Sequence, residues 1–482
     1  MRPGRFGCAL SALALLTACG GGGGGGSSPT PSPISSPSPT PPSTPTPSPT
    51  SGCSLLERQN WAAAQLREFY LFPETLPANL SPSGFRTVQD YIDALTATAR
   101  SQRRDRFFTF VTSIREENAF FQSGQTAGFG VRLSTDAAAR RVFVAEAFEG
   151  APALAAGIDR GTEILAVGTS EANLRSTADI VAAEGSISGA LGPNTAGTTR
   201  VLRIQDASGV RNVTVAKADF SIPPVSSRYG ARIIEEGGRR VGYVNLRTFI
   251  DTADPALRQA FQGFRNAGIT EVIVDYRYNG GGLVSIAELM GDLLGANRSR
   301  QDVFSFTTFR PEKAQFNETR FFMPQPQSIA PTKIAFIGTG ATASASELVI
   351  NAFIPYLRAN AALVGSNTFG KPVGQIAVDR TQCDDRLRVI AFATQNANRQ
   401  GDYFDGLASK VEASCQAPDD FTRQLGDPSE GSVKTALDFL AGRPCTRIST
   451  GISAQSARAS ERQELITPDR PSAAQREVPG LF

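Results

Sequence analysis

The chain of 482 residues contains no histidine. Most serine hydrolases activate their hydroxyl with an imidazole, so that arrangement is excluded, together with histidine-ligated zinc and histidine proton shuttles. A serine enzyme of this composition needs another base. Lysine is the usual substitute, because a desolvated amine is neutral near physiological pH. Neither sign of charge dominates, with 48 Lys and Arg against 45 Asp and Glu. The net charge is +3, which gives no reason to expect a nucleic-acid partner. The basic cluster Arg103, Arg104 and Arg106 reads as a solvated face rather than a binding patch. No cofactor and no metal is indicated, and the cysteine spacing matches no zinc pattern.

The N-terminus reads as a targeting segment. Arg2 and Arg5 precede an apolar run at 8–16 that is too short to span a bilayer. The run ends in Leu16-Thr17-Ala18-Cys19, which resembles the bacterial lipobox. The resemblance implies a signal peptide over 1–18 and a lipid on Cys19. The bland alternative is plain secretion. Gly20, rather than an aspartate, follows the cysteine, which implies delivery to the outer membrane, facing the periplasm. Seven glycines at 20–26 and a Ser/Pro/Thr-rich stretch to residue 52 follow. Such a composition buries no core. At about 3.1 Å per residue the Pro-rich part reaches on the order of 80 Å, enough to lift a soluble body off a membrane. With Cys8 gone with the leader and Cys19 lipidated, Cys53, Cys383, Cys415 and Cys445 remain. An even number in an exported chain predicts disulfides, with three connectivities open. Cys383–Cys415 and Cys53–Cys445 are favoured, the second tying the start of the body to its end.

Residues 53–122 read as a helical N-terminal domain, from apolar residues at three-to-four spacing around Trp61–Tyr70 and Val88–Leu95. Residues 123–222 are β-rich. Gly128-Phe129-Gly130-Val131 is a glycine loop entering a strand, Val142–Ala145 is a second strand, and Ala151–Ile158 is a short helix before Gly161-Thr162-Glu163-Ile164-Leu165. This stretch resembles a PDZ domain, with Thr162 where that family commonly has an aspartate. The resemblance implies that the N–H groups of Gly128, Phe129, Gly130 and Val131 hold a peptide C-terminus while the peptide adds as a strand. An ordinary β-domain with a glycine turn is the plain alternative. From 223 to 445 strands such as Arg240–Leu246, Thr270–Tyr276, Lys333–Gly338 and Ala361–Gly365 alternate with helical patterns. That implies an α/β layer fold with ligand groups at strand ends. Residues 446–482 are polar and unpatterned, and read as a mobile tail.

Three strand-end segments carry the candidate chemistry. Asp275-Tyr276-Arg277-Tyr278-Asn279-Gly280-Gly281-Gly282 is a glycine turn whose N–H groups can face a ligand. Thr342-Ala343-Ser344-Ala345-Ser346-Glu347 places a serine at a helix mouth, beside free N–H donors. Taken alone, Ser344 reads as an N-cap. Thr368-Phe369-Gly370-Lys371-Pro372-Val373-Gly374-Gln375 carries one lysine, which alone reads as a surface charge. Strand-end loops of one sheet converge on one edge. Together, these segments resemble the tail-specific, or C-terminal processing, serine peptidases, over roughly residues 55–445.

That resemblance implies a Clp-protease/crotonase-like α/β peptidase core with an inserted or preceding PDZ domain and an N-terminal helical cap. It implies Ser344 as nucleophile, Lys371 as general base, Gln375 as the residue orienting that base, and the N–H groups of Gly281 and Ala345 as the oxyanion hole. Protein or peptide substrates are the implied partners. Departures are Pro372, Gly374, Tyr278, Gly280 and an interval from Ser344 to Lys371 about two residues longer than the family pattern, placed around 353–360 where Pro355 falls. Two other expectations remain: a lipid-anchored scaffold on an inactive peptidase fold, and a crotonase-type acyl-CoA enzyme, which export and a lipid tether disfavour.

Overall fold

The computed structural model describes residues 51–449 and 463–482; the leader, Cys19 and nearly all of the tether lie outside them. A six-stranded sheet forms the centre, in the order Ala231–Glu236, Arg239–Asn245, Glu271–Asp275, Lys333–Gly338, Ala361–Gly365, Ala413–Gln416. All neighbours pair in parallel except the first two strands, which form an antiparallel hairpin. The strands are near-continuous apolar runs because both faces are covered. Helices Ala253–Asn266, Val284–Leu293 and Ala345–Leu357 bury one face around Phe261, Met290 and Val349. Helix Gly431–Leu440 covers the other with Val433, Ala436 and Leu437.

A second sheet stands beside the first. Its centre is the long hairpin Val373–Arg380/Asp385–Gln395, flanked by Phe110–Ser113 and Val303–Phe309. The N-terminal helices Leu55–Phe69 and Val88–Leu95 pack on this hairpin through Leu66, Tyr91, Ile92, Leu387 and Ile390. The first of them starts at a capping box, Ser54 with Glu57, which satisfies the orphan N–H donors of its first turn. Phe110–Ser113, within the stretch read as helical, instead forms a strand on the hairpin's edge.

The β-rich body has its own apolar cluster, including Val131, Leu133, Val144, Ile164, Ile180 and Ile204. Its sheet runs Val131–Asp136, Arg141–Ala147, Glu163–Gly168, Thr199–Asp206, Gly209–Ala216, all antiparallel. Helix Thr177–Glu184 packs against it, and Gln125–Gly128 pairs with Ala218–Ser221 where the chain enters and leaves. Two buried charge clusters join this body to the centre. In one, Glu146 receives Arg132 at 2.7 Å and Arg247 at 2.6 Å, with Tyr229 hydrogen-bonded to the same carboxylate. In the other, Arg277 is held by Asp275 and Glu430, both at 2.9 Å, and Arg160 reaches Asp419 at 2.8 Å.

Two expectations are corrected. The disulfides are Cys53–Cys383 and Cys415–Cys445, with Cα separations of 5.5 and 5.4 Å, not Cys383–Cys415 and Cys53–Cys445. Cys383 lies in the turn of the long hairpin, and the first helix is laid on that hairpin, so Cys53 arrives there. Arg380 of the same turn bonds the carbonyls of Gly52 and Glu57. Cys415, on the edge strand of the central sheet, meets the segment returning from the last core helix, where the Gln416 N–H donates to Thr446 O at 2.7 Å. The second correction concerns the tail. Residues 463–482 are folded: Glu464–Leu465 pairs with the edge strand Val131–Asp136, Ala473–Glu477 is a helix capped by Ser472 and Gln475, and Val478, Leu481 and Phe482 are buried. Its polarity hid the few apolar side chains that anchor it.

Candidate active site

The strand Glu271–Asp275 ends in the glycine turn, and Asn279 fixes that turn on two sides. Its amide donates to Leu246 O at 2.7 Å, and its carbonyl accepts from the Ala343 N–H at 3.0 Å and the Ser346 hydroxyl at 3.2 Å. Thr342 hydrogen-bonds Tyr276 O at 2.9 Å. The turn and the loop before helix Ala345–Leu357 are therefore one unit. Gly281 lies against Ser344 so closely that a Cβ on it would stand 2.8 Å from the Ser344 Cβ and 3.2 Å from the Ala345 nitrogen. Only glycine fits.

Ser344 occupies the N-cap position with φ 54° and ψ −113°, a conformation L-residues avoid. Such strain persists only where neighbours hold it, and Glu347 supplies the hold. Its carboxylate accepts from the N–H groups of Ser344 (3.0 Å), Gly370 (2.7 Å) and Lys371 (2.7 Å) and from the Thr368 hydroxyl (2.6 Å). Glu347 is fully buried, and burial pushes its carboxyl above the ordinary range against the pull of these four donors. One side chain thus clamps the serine segment to the lysine segment. Sequence reasoning gave Glu347 no role. The signal was there in the spacing Ser344-x-x-Glu347, a capping-box pattern.

The Lys371 amine donates to Gln375 Oε1 at 3.0 Å and lies 4.9 Å from the centroid of the Phe108 ring. Gln375 in turn donates to Phe108 O, which fixes its amide so that the oxygen faces the lysine. Burial pulls the Lys371 amine below its ordinary pKa; the charges of Glu477 and Asp105 draw it back up, and Arg476 and Arg388 push it down. Arg106, expected on a solvated basic face, instead reaches inward and donates to the carbonyls of Phe369 and Gly370, both at 2.6 Å. It braces the lysine segment, while Arg103 stays exposed. Helix Ala345–Leu357 carries Pro355 near its far end and is followed by the turn Arg358–Asn360. The next strand returns in register, Gly338 beside Gly365.

The two N–H groups expected as oxyanion donors differ in what they meet. The Ala345 N–H begins the helix, where no intrahelical carbonyl is in reach. The Gly281 N–H, however, is taken by Asn279 Oδ1 at 2.9 Å, because the asparagine side chain folds back over the turn. The adjacent Gly280 N–H is the one that meets an acyl oxygen, Glu477 O at 3.0 Å. In the β-rich body, Gly128 closes its short strand, Phe129 is in the apolar cluster, and the N–H groups of Gly130 and Val131 point to one oxygen, that of Phe482. A cleft of about 1690 Å³ runs between these places, lined by Phe108, Gly280, Ala343 and Lys371.

The sequence profile of peptidase family S41 matches residues 240–402, which hold the glycine turn, Ser344, Glu347, Lys371 and Gln375. This stretch is similar to peptidase family S41. Among curated relatives, this chain is 27% identical over 254 residues to a carboxyl-terminal-processing protease of Picosynechococcus sp., covering 52% of this chain and 55% of the relative. It is 24% identical to the chloroplastic carboxyl-terminal-processing peptidase 3 of Arabidopsis thaliana, covering 68% of this chain and 61% of that one. The chain thus spans little more than half the length of these relatives. Among solved structures, a putative S41 protease from Bacteroides fragilis superposes with a TM-score of 0.62 at 22% identity, over 79% of this chain and 97% of that one, which shows a shared mixed α/β fold.

Proposed function

We propose that this chain is a serine endopeptidase working through a Ser344–Lys371 dyad. Neutral Lys371 removes the Ser344 proton as the oxygen attacks a peptide carbonyl; the Ala345 N–H and a glycine N–H of the turn receive the oxyanion; the resulting lysinium protonates the departing amine. Gln375 orients the amine. Gly281 joins the oxyanion hole by releasing Asn279 Oδ1, whereas Gly280 already offers its N–H to an acyl oxygen. Each such donor is worth about 3 kcal/mol of transition-state stabilisation. The observation carrying this reading is the Glu347 clamp: one buried carboxylate binds the N–H groups of both Ser344 and Lys371, next to an amine that burial holds toward neutrality.

Substrates enter by their C-termini through a PDZ-like body over 123–222, and the N-terminal helices form a cap. The chain resides in the bacterial cell envelope, lipid-anchored at Cys19 to the outer membrane and facing the periplasm. Support comes from the strand-edge N–H pair at Gly130 and Val131, from the lipobox-like leader, and from relatives whose names are those of carboxyl-terminal-processing proteases. The deciding assay incubates casein and a protein with an apolar C-terminus with the wild type and with Ser344→Ala. Cleavage lost in the variant supports the dyad, and equal cleavage by both rejects it. Cys19→Ala should release the protein from membranes; sedimentation with membranes regardless would reject the anchor.

A further inference from the structure

The places where a substrate C-terminus would bind are already filled by the chain itself. The edge strand Val131–Asp136 is paired along its length by two pieces of the tail. Glu464 and Leu465 sit opposite Thr135 and Ser134, the Ile466 N–H donates to Leu133 O at 2.9 Å, and Leu481 sits opposite Arg132. The Leu133 N–H donates to Gly480 O at 2.8 Å and the Phe482 N–H to Val131 O at 2.9 Å. The Phe482 oxygen accepts from Gly130 at 2.8 Å and Val131 at 3.2 Å, while its ring joins the apolar cluster of Phe129 and Val131. This is strand addition that uses the edge groups of Val131 and Leu133.

Between those two pieces the tail crosses the cleft. The Gly280 N–H donates to Glu477 O, and a Cβ on Gly280 would come within 2.7 Å of Arg476 O, so the tail backbone lies directly on the glycine turn. The Glu477 carboxylate acts on the Lys371 charge, and Arg476 stacks 3.8 Å from the Phe110 centroid. Pro479 O and Leu481 O are bound by Arg132 and Gln475, both within 2.9 Å. Residues 473–477 are helical, whereas a scissile segment must lie extended to present its carbonyl to a nucleophile. The tail is therefore placed to block the site without being cut.

We propose that residues 464–482 are a tethered, reversible competitor for both the strand edge and the cleft, displaced by protein C-termini that end in a large apolar residue. The tether makes the competition intramolecular, at an effective concentration in about the millimolar range, so only a well-matched C-terminus opens the enzyme. The rate readout depends on the peptidase proposal; the binding readout does not.

The test compares the full chain with a variant ending at Gln463. With peptide substrate, removing the tail should lower KM about tenfold or more and leave kcat within about twofold, as expected for a competitor removed. Equal KM values would overturn the proposal. Independently, both forms are prepared as Ser344→Ala and titrated with a fluorescent peptide of residues 470–482. Binding to the shortened form, with at least tenfold weaker binding to the full chain, supports the proposal; equal binding or none overturns it. Because shortening exposes apolar surface, Leu481→Asp/Phe482→Asp at full length is the second variant. Amide exchange at Gly130 and Val131 should accelerate in it, and unchanged protection would reject the tail as their occupant. If the peptide binds as stated and neither form cleaves substrate, the dyad fails and the tail proposal stands.

Discussion

Lys371 has one hydrogen-bond partner on its amine and one clamp on its backbone, and the two separate chemistry from architecture. Ser344→Ala and Lys371→Ala should each reduce peptidase turnover on the order of 10⁴-fold or more, because groups acting as a unit fail together. Lys371→Arg should be as inactive, since guanidinium does not deprotonate. Gln375→Ala should lose less than the roughly 10²–10⁴-fold that a general base contributes. Ser346→Ala is the control: its buried hydroxyl only bonds Asn279 O, so it should lose about 1 kcal/mol of stability and keep most activity, measured by casein hydrolysis and chemical denaturation. Greater loss at Ser346 than at Ser344 would overturn the assignment. The rate should rise with pH as Lys371 becomes neutral. Glu477 raises the Lys371 pKa, so Glu477→Gln should shift that limb of kcat/KM to lower pH, with the neighbouring burial kept. At this scale the segments holding Ser344, Lys371 and Gln375 stood out in the sequence because their residue types can carry chemistry, and the structure joins these segments through Glu347. Glu347 and Arg106 were not, because their roles depend on what lies across a fold boundary.

Elements are joined here by charge as much as by apolar packing. Glu146 is fully buried between two arginines of different elements; burial would raise its pKa, and Arg247 with Arg132 pulls it down to about 2 instead. A carboxyl depressed in the folded state stabilises the fold above its unfolded pKa, and that contribution is lost as pH falls from about 4.5 toward 2. Glu146→Gln should therefore destabilise by about 3–5 kcal/mol at pH 7 and by less near pH 3, read from denaturant midpoints at both pH values. Equal destabilisation at the two values would reject the account. The central strands were readable from sequence because apolar runs buried on both faces stand out, as at Val272, Ile273 and Val274. The strand Phe110–Ser113 and the paired tail were not, since both are short and gain their stability from an edge supplied by distant residues.

At the scale of the whole molecule, covalent closure and the tail decide behaviour. Cys53–Cys383 closes 330 residues of sequence and Cys415–Cys445 closes 30. In the chain-entropy limit these constrain the unfolded chain by about 6 and about 4 kcal/mol. Replacing the first pair with serine should accordingly lower the denaturation midpoint more than replacing the second, with calorimetry as the check and the reverse order as the contrary result. The pairing was beyond sequence reasoning, because an even count leaves connectivity open until the hairpin turn and the first helix are seen together. The tail's route over the strand Val131–Asp136 has one more consequence, for synthesis. That strand leaves the ribosome well before its partner segments do. A nascent chain therefore carries an unsatisfied strand edge through the interval between them, open to pairing with another nascent chain. Slow elongation over the codons in between would lengthen that exposure, and chains emerging close together would be the setting in which misassembly begins.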